Sequence, residues 1–299
     1  MHVVLAGSHG LLGRALSARL AEGGHRVTRL VRRPVVSPAE ISWDPPSGRL
    51  DAVGLAGADA VVNLGGVGVG DRRWTRSRRQ QILSSRTVPT SVLARAVAEA
   101  GTGTLLQASA VGFYGDRGDE VLTEDSPSGD GFLAGVVRAW EEATRPARDA
   151  GVRVVHLRTG IVLSPRGGAL GRLLPLLRLG VGGPLGSGRN TWPWITVEDH
   201  VRAMEHLLTS AVAGPVNMTG PAPAAQGEVV RAVARELRRP ALVRVPRWAL
   251  RLVLGGFADE VLASQHVLPT VLLGDGFEFR HADLDAAAAW LTSAEARQS

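Results

Sequence analysis

Apolar positions at the start of the chain follow two alternating spacings. Residues 3–6 form a short β-branched run that ends at Gly7 and predicts a buried strand. Residues 11–22 carry apolar side chains at helical spacing and stop at a glycine pair, which predicts a helix. Residues 26–31 predict a second strand. The three segments form a βαβ unit, from which parallel sheets are built.

The same alternation continues further along the chain. Strands are predicted at residues 58–64, 104–109, 152–158 and 216–218, and helices at 80–100, 133–150, 170–179, 197–208, 226–237 and 248–263. Alternating strands and helices favour an α/β fold with a Rossmann-like, doubly wound parallel sheet. After about residue 163 the rhythm changes. We therefore predict a sheet domain of residues 1–165, rejoined by 196–220, and a smaller, mostly helical C-terminal cap of residues 166–195 and 221–299.

Composition narrows the classes of function. The chain has 299 residues, 44% hydrophobic and 21% charged, as in ordinary globular proteins. It has no cysteine, which excludes disulfides and thiolate chemistry. The eight histidines show no ligand spacing, so we expect no metal site. No signal peptide or long apolar span is visible, and we expect a cytoplasmic protein without a membrane partner.

The formal net charge is +6, and all 34 basic residues are arginine. Arginine in place of lysine throughout is typical of a GC-rich genome. Nucleic-acid binding needs a basic stripe with stacking aromatics. The densest basic run, residues 72–86, contains one aromatic residue, Trp74. We therefore expect no nucleic-acid partner, and the oligomeric state stays open.

A glycine-rich loop joins the first strand to the first helix. Its spacing is G-x-x-G-x-x-G, and its residues are Gly7, Ser8, His9, Gly10, Leu11, Leu12 and Gly13. Glycines in this setting allow a tight turn, close approach of a pyrophosphate and close helix–strand packing. The helix amino end then supplies free N–H groups to the phosphates. The pattern predicts a dinucleotide site, and a tight turn without a ligand is the alternative.

The end of the second strand indicates which dinucleotide is bound. NAD-binding folds place an acidic residue there for the ribose 2′-hydroxyl. This chain has Arg32 and Arg33 instead, which suit a 2′-phosphate. NADP(H) is therefore the predicted cofactor in preference to NAD(H), with solvated loop arginines as the alternative.

Further motifs carry a resemblance to a known family. The chain resembles the extended short-chain dehydrogenase/reductase superfamily, and within it an atypical, epimerase-like NAD(P)-dependent family with its own C-terminal segment. The resemblance covers almost the whole chain. Its landmarks are Gly7–Gly13, Trp43-Asp44-Pro45, Asn63-Leu64-Gly65-Gly66, Ser109–Gly115, Trp140-Glu141, Gly186–Arg189, Pro193-Trp194-Ile195, Gly214–Asn217, Gln265–Pro269 and Gly276–Phe279.

The resemblance implies further cofactor contacts. Leu64 and Gly65 would lie along the adenosine and its ribose, and Val162 near the nicotinamide. Gln81 and Arg86 would face the cofactor from the following helix. A guanidinium at this position can bind a phosphate through two hydrogen bonds. The alternative is that Gln81 and Arg86 are exposed helix residues without a role in binding.

The usual catalytic residues of the superfamily are missing. Typical members use a serine, a tyrosine and a lysine, the last two four residues apart on one helix face. This chain has no lysine and one tyrosine, Tyr114. Alignment on Trp140-Glu141 puts Leu133 at the tyrosine position and Val137 at the lysine position. Epimerisation by the standard route is therefore not expected.

Ser109 and Tyr114 are the remaining candidates for catalysis. Ser109 precedes Tyr114 by five residues, whereas the usual spacing of four falls on Ala110. Ser109 would bind substrate if the loop holds one extra residue, and a structural serine is the alternative. For Tyr114 the alternative to proton donation is packing in the core or the cofactor wall.

Arg189, Trp192 and Trp194 are the candidates for holding substrate. They follow a glycine-rich loop and suit a planar or anionic molecule, unless the tryptophans fasten the cap to the sheet. The sequence as a whole predicts an NADP(H)-dependent oxidoreductase with a non-standard proton donor, acting on an unknown small molecule. The alternative is a non-catalytic NADP(H)-binding sensor or scaffold.

Overall fold

A computed structural model of the protein describes residues 1–168 and 170–296, and the side chains of all of these except residues 172 and 294–296. Besides three short 3₁₀ turns, its elements follow one another in this order: β1 (His2–Ala6), α1 (Leu11–Glu22), β2 (Arg26–Val31), β3 (Glu40–Ser42), β4 (Ala60–Asn63), α2 (Arg76–Ala100), β5 (Thr104–Ala110), β6 (Val121–Leu122), α3 (Phe132–Glu142), α4 (Arg145–Asp149), β7 (Arg153–Thr159), β8 (Ile161–Ser164), β9 (Gly167–Gly168), α5 (Leu170–Arg178), β10 (Thr191–Trp192), β11 (Trp194–Thr196), α6 (Val197–Thr209), β12 (Gly214–Met218), β13 (Ala224–Ala225), α7 (Gln226–Glu236), α8 (Arg247–Leu254), α9 (Phe257–Val261), β14 (His266–Val267), α10 (Thr270–Gly274) and α11 (Leu284–Ala296).

The central sheet has seven parallel strands. Their order is β12-β7-β5-β4-β1-β2-β3, and every neighbouring pair is parallel. This confirms the predicted doubly wound, Rossmann-like sheet. The chain winds outward in both directions from β1, so the carboxyl ends of β1 and β4 flank the crevice where such sheets bind ligands.

Both faces of the sheet are covered by helices. On one face, Leu16 and Leu20 of α1 and Leu207 of α6 belong to a core that includes Val3 and Leu5 of β1. On the other face, Leu93 and Val97 of α2 pack with Val4 of the same strand. Because alternate residues of β1 are buried on opposite faces, the strand is a continuous apolar run.

A separate core, which we call the cap core, holds the predominantly helical C-terminal region together. It is formed by buried residues of α5, α7, α8, α9 and α11 with Trp192 and Trp194. This region is also attached to the sheet side, since β14 pairs with β6 and Thr270 donates a hydrogen bond to Glu124. Residues 169 and 297–299 of the predicted cap lie outside the described residues. The two-domain division itself stays a prediction.

Two predicted helices are each broken in the structure. Residues 133–150 form α3 and α4, which separate before Pro146, a residue that belongs in the first turn of a helix. Residues 248–263 form α8 and α9, which separate at Gly255, where φ is 61°. Within the described residues, no helix combines the length and apolarity needed to cross a membrane.

Candidate functional site

The glycine loop lies tightly against the carboxyl end of β4. Gly7 has a φ of 83°, and a Cβ atom there would lie 2.8 Å from the carbonyl carbon of Leu64. A Cβ atom at Gly13 would lie 2.2 Å from the carbonyl oxygen of Gly7. Glycine is therefore required at both positions for strand, loop and helix to approach this closely.

The amino end of α1 is available to an anion. Gly10 is its N-cap residue, and no side chain in the described part of the chain caps it. The Gly10 amide bonds the Gly7 carbonyl at 3.1 Å, and the Arg14 amide bonds the Gly10 carbonyl at 3.0 Å. First-turn amides such as those of Leu11 and Leu12 have no partner within a helix. The structure thus brings the predicted loop residues, with buried Ser8 and exposed His9, around a bare helix end.

Arg32 and Arg33 differ in their surroundings. Arg33 donates to both carboxylate oxygens of Glu40, at 3.0 and 2.7 Å. The Glu40 side chain is 2% exposed. The hydrogen bond from Arg33, helped by the Val36 amide, lowers the pKa of Glu40 to about 2. Arg32 is exposed and forms no ion pair with any described residue. Of the two guanidiniums, Arg32 is therefore the one without a carboxylate partner.

A buried amide network fixes the end of β4. Asn63 accepts a hydrogen bond from the Gly65 amide at 3.2 Å. Its own amide group donates to Thr90 at 3.2 Å and to Gln107 at 3.0 Å. The network holds Leu64 and Gly65 beside Gly7, where the resemblance places the adenosine.

Arg86 is a half-buried cation at the same edge of the sheet. Its guanidinium lies 5.0 Å from the ring centroid of Trp140 and donates to the Val67 carbonyl at 3.1 Å. Burial, followed by the nearby charge of Arg78, lowers its pKa to about 10. Among the described residues no carboxylate forms an ion pair with it. A partly desolvated charge of this kind is best stabilised by an anion.

Arg78 is a candidate site residue that the sequence analysis missed. It donates to the side chain of Gln81 at 2.6 Å, so it orients that otherwise exposed residue. Its Nε atom is buried and has no hydrogen-bond partner among the described residues. The signal in the sequence was its position three residues before Gln81, which puts both on one face of α2.

Val162 lies on a hairpin beside the glycine loop. It belongs to β8, which pairs with β9. A Cβ atom at Gly168 would lie 2.7 Å from the Val162 carbonyl oxygen and 3.6 Å from the side chain of Leu11. The structure thus brings Val162 close to the start of α1.

The candidate catalytic hydroxyls are occupied by buried partners. Ser109 donates to Glu141 at 2.6 Å. The fully buried Tyr114 accepts a hydrogen bond from Arg158 at 3.0 Å and donates to Asn217 at 2.7 Å. Burial raises the pKa of Tyr114. Their catalytic roles stay predictions, and the geometry gives both hydroxyls structural roles.

The substrate candidates do not converge on one surface. Arg189 is exposed, whereas Trp192 and Trp194 are buried in the cap core. The indole nitrogen of Trp192 donates to the Val261 carbonyl at 3.4 Å. The tryptophans therefore pack inside the C-terminal core, and their contact with substrate stays a prediction.

Comparison with known proteins identifies the family of this chain. The sequence model described as the NAD dependent epimerase/dehydratase family matches residues 3–219. The chain belongs to this family. A second model, described as a domain of unknown function (DUF1731), matches residues 245–291 of the C-terminal region. The two matches confirm the resemblance drawn from the sequence motifs.

Individual relatives cover nearly the whole chain. Epimerase family protein Mb2239 of Mycobacterium bovis is 46% identical over 293 residues, which are 97% of each protein. The crystal structure of human epimerase family protein SDR39U1 with NADPH is 33% identical, with a TM-score of 0.91 and coverage of 98% of this chain and 99% of that one. A nucleoside-diphosphate sugar epimerase of Corynebacterium glutamicum is 40% identical with a TM-score of 0.78, and the match covers 97% of this chain and 57% of that one.

Proposed function

We propose that this chain binds NADP(H) and acts as an oxidoreductase on a small molecule. The observation that carries the proposal is the tight glycine loop around a helix end that no side chain in the described residues caps. Arg32, which has no carboxylate partner among the described residues, follows at the end of the next strand. The human relative crystallised with NADPH supports it, because it shares this fold along almost its whole length.

Each part of the site has a role in this proposal. The amides at the start of α1 hold the pyrophosphate, and Arg32 binds the 2′-phosphate. Leu64 and Gly65 line the adenosine, and Arg86 supplies positive charge along the cofactor. Gln81, oriented by Arg78, faces the cofactor from the same helix. Val162 lies near the nicotinamide. When bound, the cofactor supplies hydride transfer as its own chemistry.

The protein's contribution to proton transfer is small in this proposal. Leu133 and Val137 replace the usual tyrosine and lysine, and Val137 is buried. The hydroxyls of Ser109 and Tyr114 already have partners. We therefore assign the proton to water or to the substrate. Loss of a positioned acid typically costs a factor of about 10²–10⁴ in rate, so slow turnover is expected.

The test is cofactor discrimination by Arg32→Ala. A charge-assisted hydrogen bond contributes about 1.5–3 kcal/mol, so we expect NADPH affinity to fall roughly tenfold or more while NADH affinity is unchanged. Arg26→Ala is the matched control, since Arg26 is exposed at the opposite end of β2. Titration of tryptophan fluorescence measures both affinities. If Arg32→Ala keeps the parent's preference for NADPH, the phosphate assignment is wrong.

A non-catalytic sensor or scaffold is the second candidate, favoured by the apolar pair Leu133 and Val137. It predicts NADPH binding without turnover across a panel of carbonyl and enone substrates, together with a cofactor-dependent change in self-association. Turnover of any of these substrates rejects it. A cytoplasmic location and the absence of a nucleic-acid partner stay predictions of the sequence.

A further inference from the structure

Large apolar side chains are exposed in neighbouring segments of the C-terminal region. Leu242 is 81% exposed and Trp248 is 71% exposed, although single exposed residues of this size are usually scattered. We call the group the cap apolar surface, and its members are Leu179, Val181, Leu242, Val243, Trp248, Leu252 and Val253.

These residues come from segments that lie side by side. The Val245 amide donates to the Pro184 carbonyl at 3.0 Å, and the Gly186 amide donates to the Val245 carbonyl at 2.8 Å. A Cβ atom at Gly180 would lie 3.5 Å from Pro240. Residues 180–186 therefore run along residues 240–245, and α8 begins two residues later.

The helix α8 has a buried side and an exposed apolar side. Leu250 is buried in the cap core, whereas Trp248 and Leu252, four residues apart, are exposed on the same side of the helix. This face has the composition of a contact surface.

Arginines lie between the members of the cap apolar surface along the chain. Residues 237–254 contain five arginines and no acidic residue. Arg247 and Arg251 share the carboxylate of Asp259, at 3.8 and 2.8 Å. Arg238, Arg239 and Arg244 are exposed and form no ion pair with the described residues. The surface is therefore both apolar and cationic.

This combination distinguishes between possible occupants. A second copy docked about a two-fold axis would bring the same arginines towards each other, which is unfavourable. An anionic bilayer takes exposed indole and aliphatic side chains into its interface and pairs its headgroups with arginine. We propose that the cap apolar surface docks on the surface of an anionic lipid bilayer.

The proposal replaces the expectation of no membrane partner, which rested on the absence of a long apolar span, because surface docking needs no such span. It is independent of the proposed cofactor chemistry. The probe is sedimentation with vesicles of phosphatidylcholine, with and without phosphatidylglycerol. We expect binding to the anionic vesicles and weak binding to the neutral ones. Added salt should reduce the binding because it screens the arginines.

The decisive variant is Trp248→Ser with Leu252→Ser, both at exposed positions. Removal of two apolar anchors should lower partitioning into anionic vesicles roughly tenfold or more. The matched control is Val36→Ser with Val53→Ser, also exposed but in the sheet domain. We expect the control to bind like the parent, and circular dichroism checks that both variants are folded.

Three results would overturn the proposal. The first is equal vesicle binding by the parent and by the Trp248/Leu252 variant. The second is no preference of the parent for anionic vesicles. The third is self-association of the parent that the variant loses, without vesicle binding by either, which would assign the surface to a second copy.

Discussion

Gly13 shows, at the scale of one residue, how a missing Cβ atom lets a helix lie close against the loop before it. Its position is fixed by the carbonyl oxygen of Gly7, which is backbone and cannot rotate away from an added atom. In the proposed function, the first-turn amides of the same helix hold the pyrophosphate. Packing and binding therefore depend on one feature, which makes it a sensitive place for a test.

We predict that Gly13→Ala abolishes measurable NADPH binding and destabilises the protein by about 1–3 kcal/mol through overpacking. Gly135→Ala in α3 is the control, because only the flexible side chain of Arg138 approaches a Cβ there, at 3.8 Å. Alanine at that helical position should be neutral or slightly stabilising. Fluorescence titration and urea unfolding measure the two effects. Parent-like binding by Gly13→Ala would place the pyrophosphate elsewhere.

Residue-level prediction succeeds where the determinants are local. The glycine spacing, the strand before it and the helix after it lie within about twenty residues, so the sequence shows them together. The partner of Arg33 does not follow in this way, because Glu40 reaches it only after β3 adds to the sheet edge. The hydrogen bond from Ser109 to Glu141 spans 32 positions and has no signal in the sequence.

At the scale of elements, hydrophobic spacing predicts which helices and strands exist better than it predicts where each one ends. The helix α1 and the strand β2 have the predicted limits, since each is bounded by glycines or charged residues. In two places the apolar spacing predicts one long helix, whereas the structure has two shorter ones, with Pro146 or Gly255 at the break. The edge strand β3 is three residues long, too short to show a period.

One buried ion pair joins α3 to the sheet. Glu141 accepts from Arg158 of β7 at 2.9 and 3.0 Å, and their side chains are 13% and 5% exposed. Burial opposes ionisation of Glu141, but the hydrogen bond from Arg158 and nearby positive charges keep its pKa below the ordinary value. Removing one partner leaves the other charge buried and unpaired.

We predict that Glu141→Gln lowers the free energy of unfolding by about 3–5 kcal/mol. The adjacent Glu142→Gln is the matched control. Glu142 pairs with Arg148 on the surface, where the Glu142 side chain is 59% exposed and the Arg148 side chain 44% exposed. An exposed pair contributes about 0–1 kcal/mol. Urea unfolding at neutral pH measures the free energy of unfolding of both variants. Equal effects would mean that the buried pair adds nothing beyond its surface neighbour.

At the scale of the whole molecule, the sheet topology follows from the order of elements, whereas the cap does not. Parallel strands with helical crossovers have few allowed arrangements, so the alternation of elements predicts the doubly wound sheet. The cap is assembled from distant short segments, such as β14 with β6 and α11 with α7. Burial of Trp192 and Trp194 depends on that assembly, which is why the sequence left their role open.

Two histidines buried in this fold make its stability depend on pH. Burial lowers the pKa values of His156 and His200 to about 4, from an ordinary value of 6.5. Each forms a hydrogen bond with a threonine hydroxyl, His156 with Thr144 at 2.9 Å and His200 with Thr159 at 3.0 Å. Below pH 6.5 the unfolded chain binds these protons, whereas the folded chain does not until about pH 4. The stability that the two neutral histidines contribute is therefore fully present above pH 6.5, and it is lost as the pH decreases towards 4.

We predict that each histidine removes about 2 kcal/mol of stability between pH 7 and pH 5. His200→Gln keeps a hydrogen-bonding side chain for Thr159 but cannot bind a proton, so the fall in stability should shrink by about half relative to the parent. Because carboxylates contribute equally to both proteins, the difference between them isolates the histidine. His9→Gln, at an exposed position, should leave the pH dependence unchanged. Urea unfolding at the two pH values decides the matter, and an undiminished fall for His200→Gln would mean that His200 already carries its proton in the folded protein.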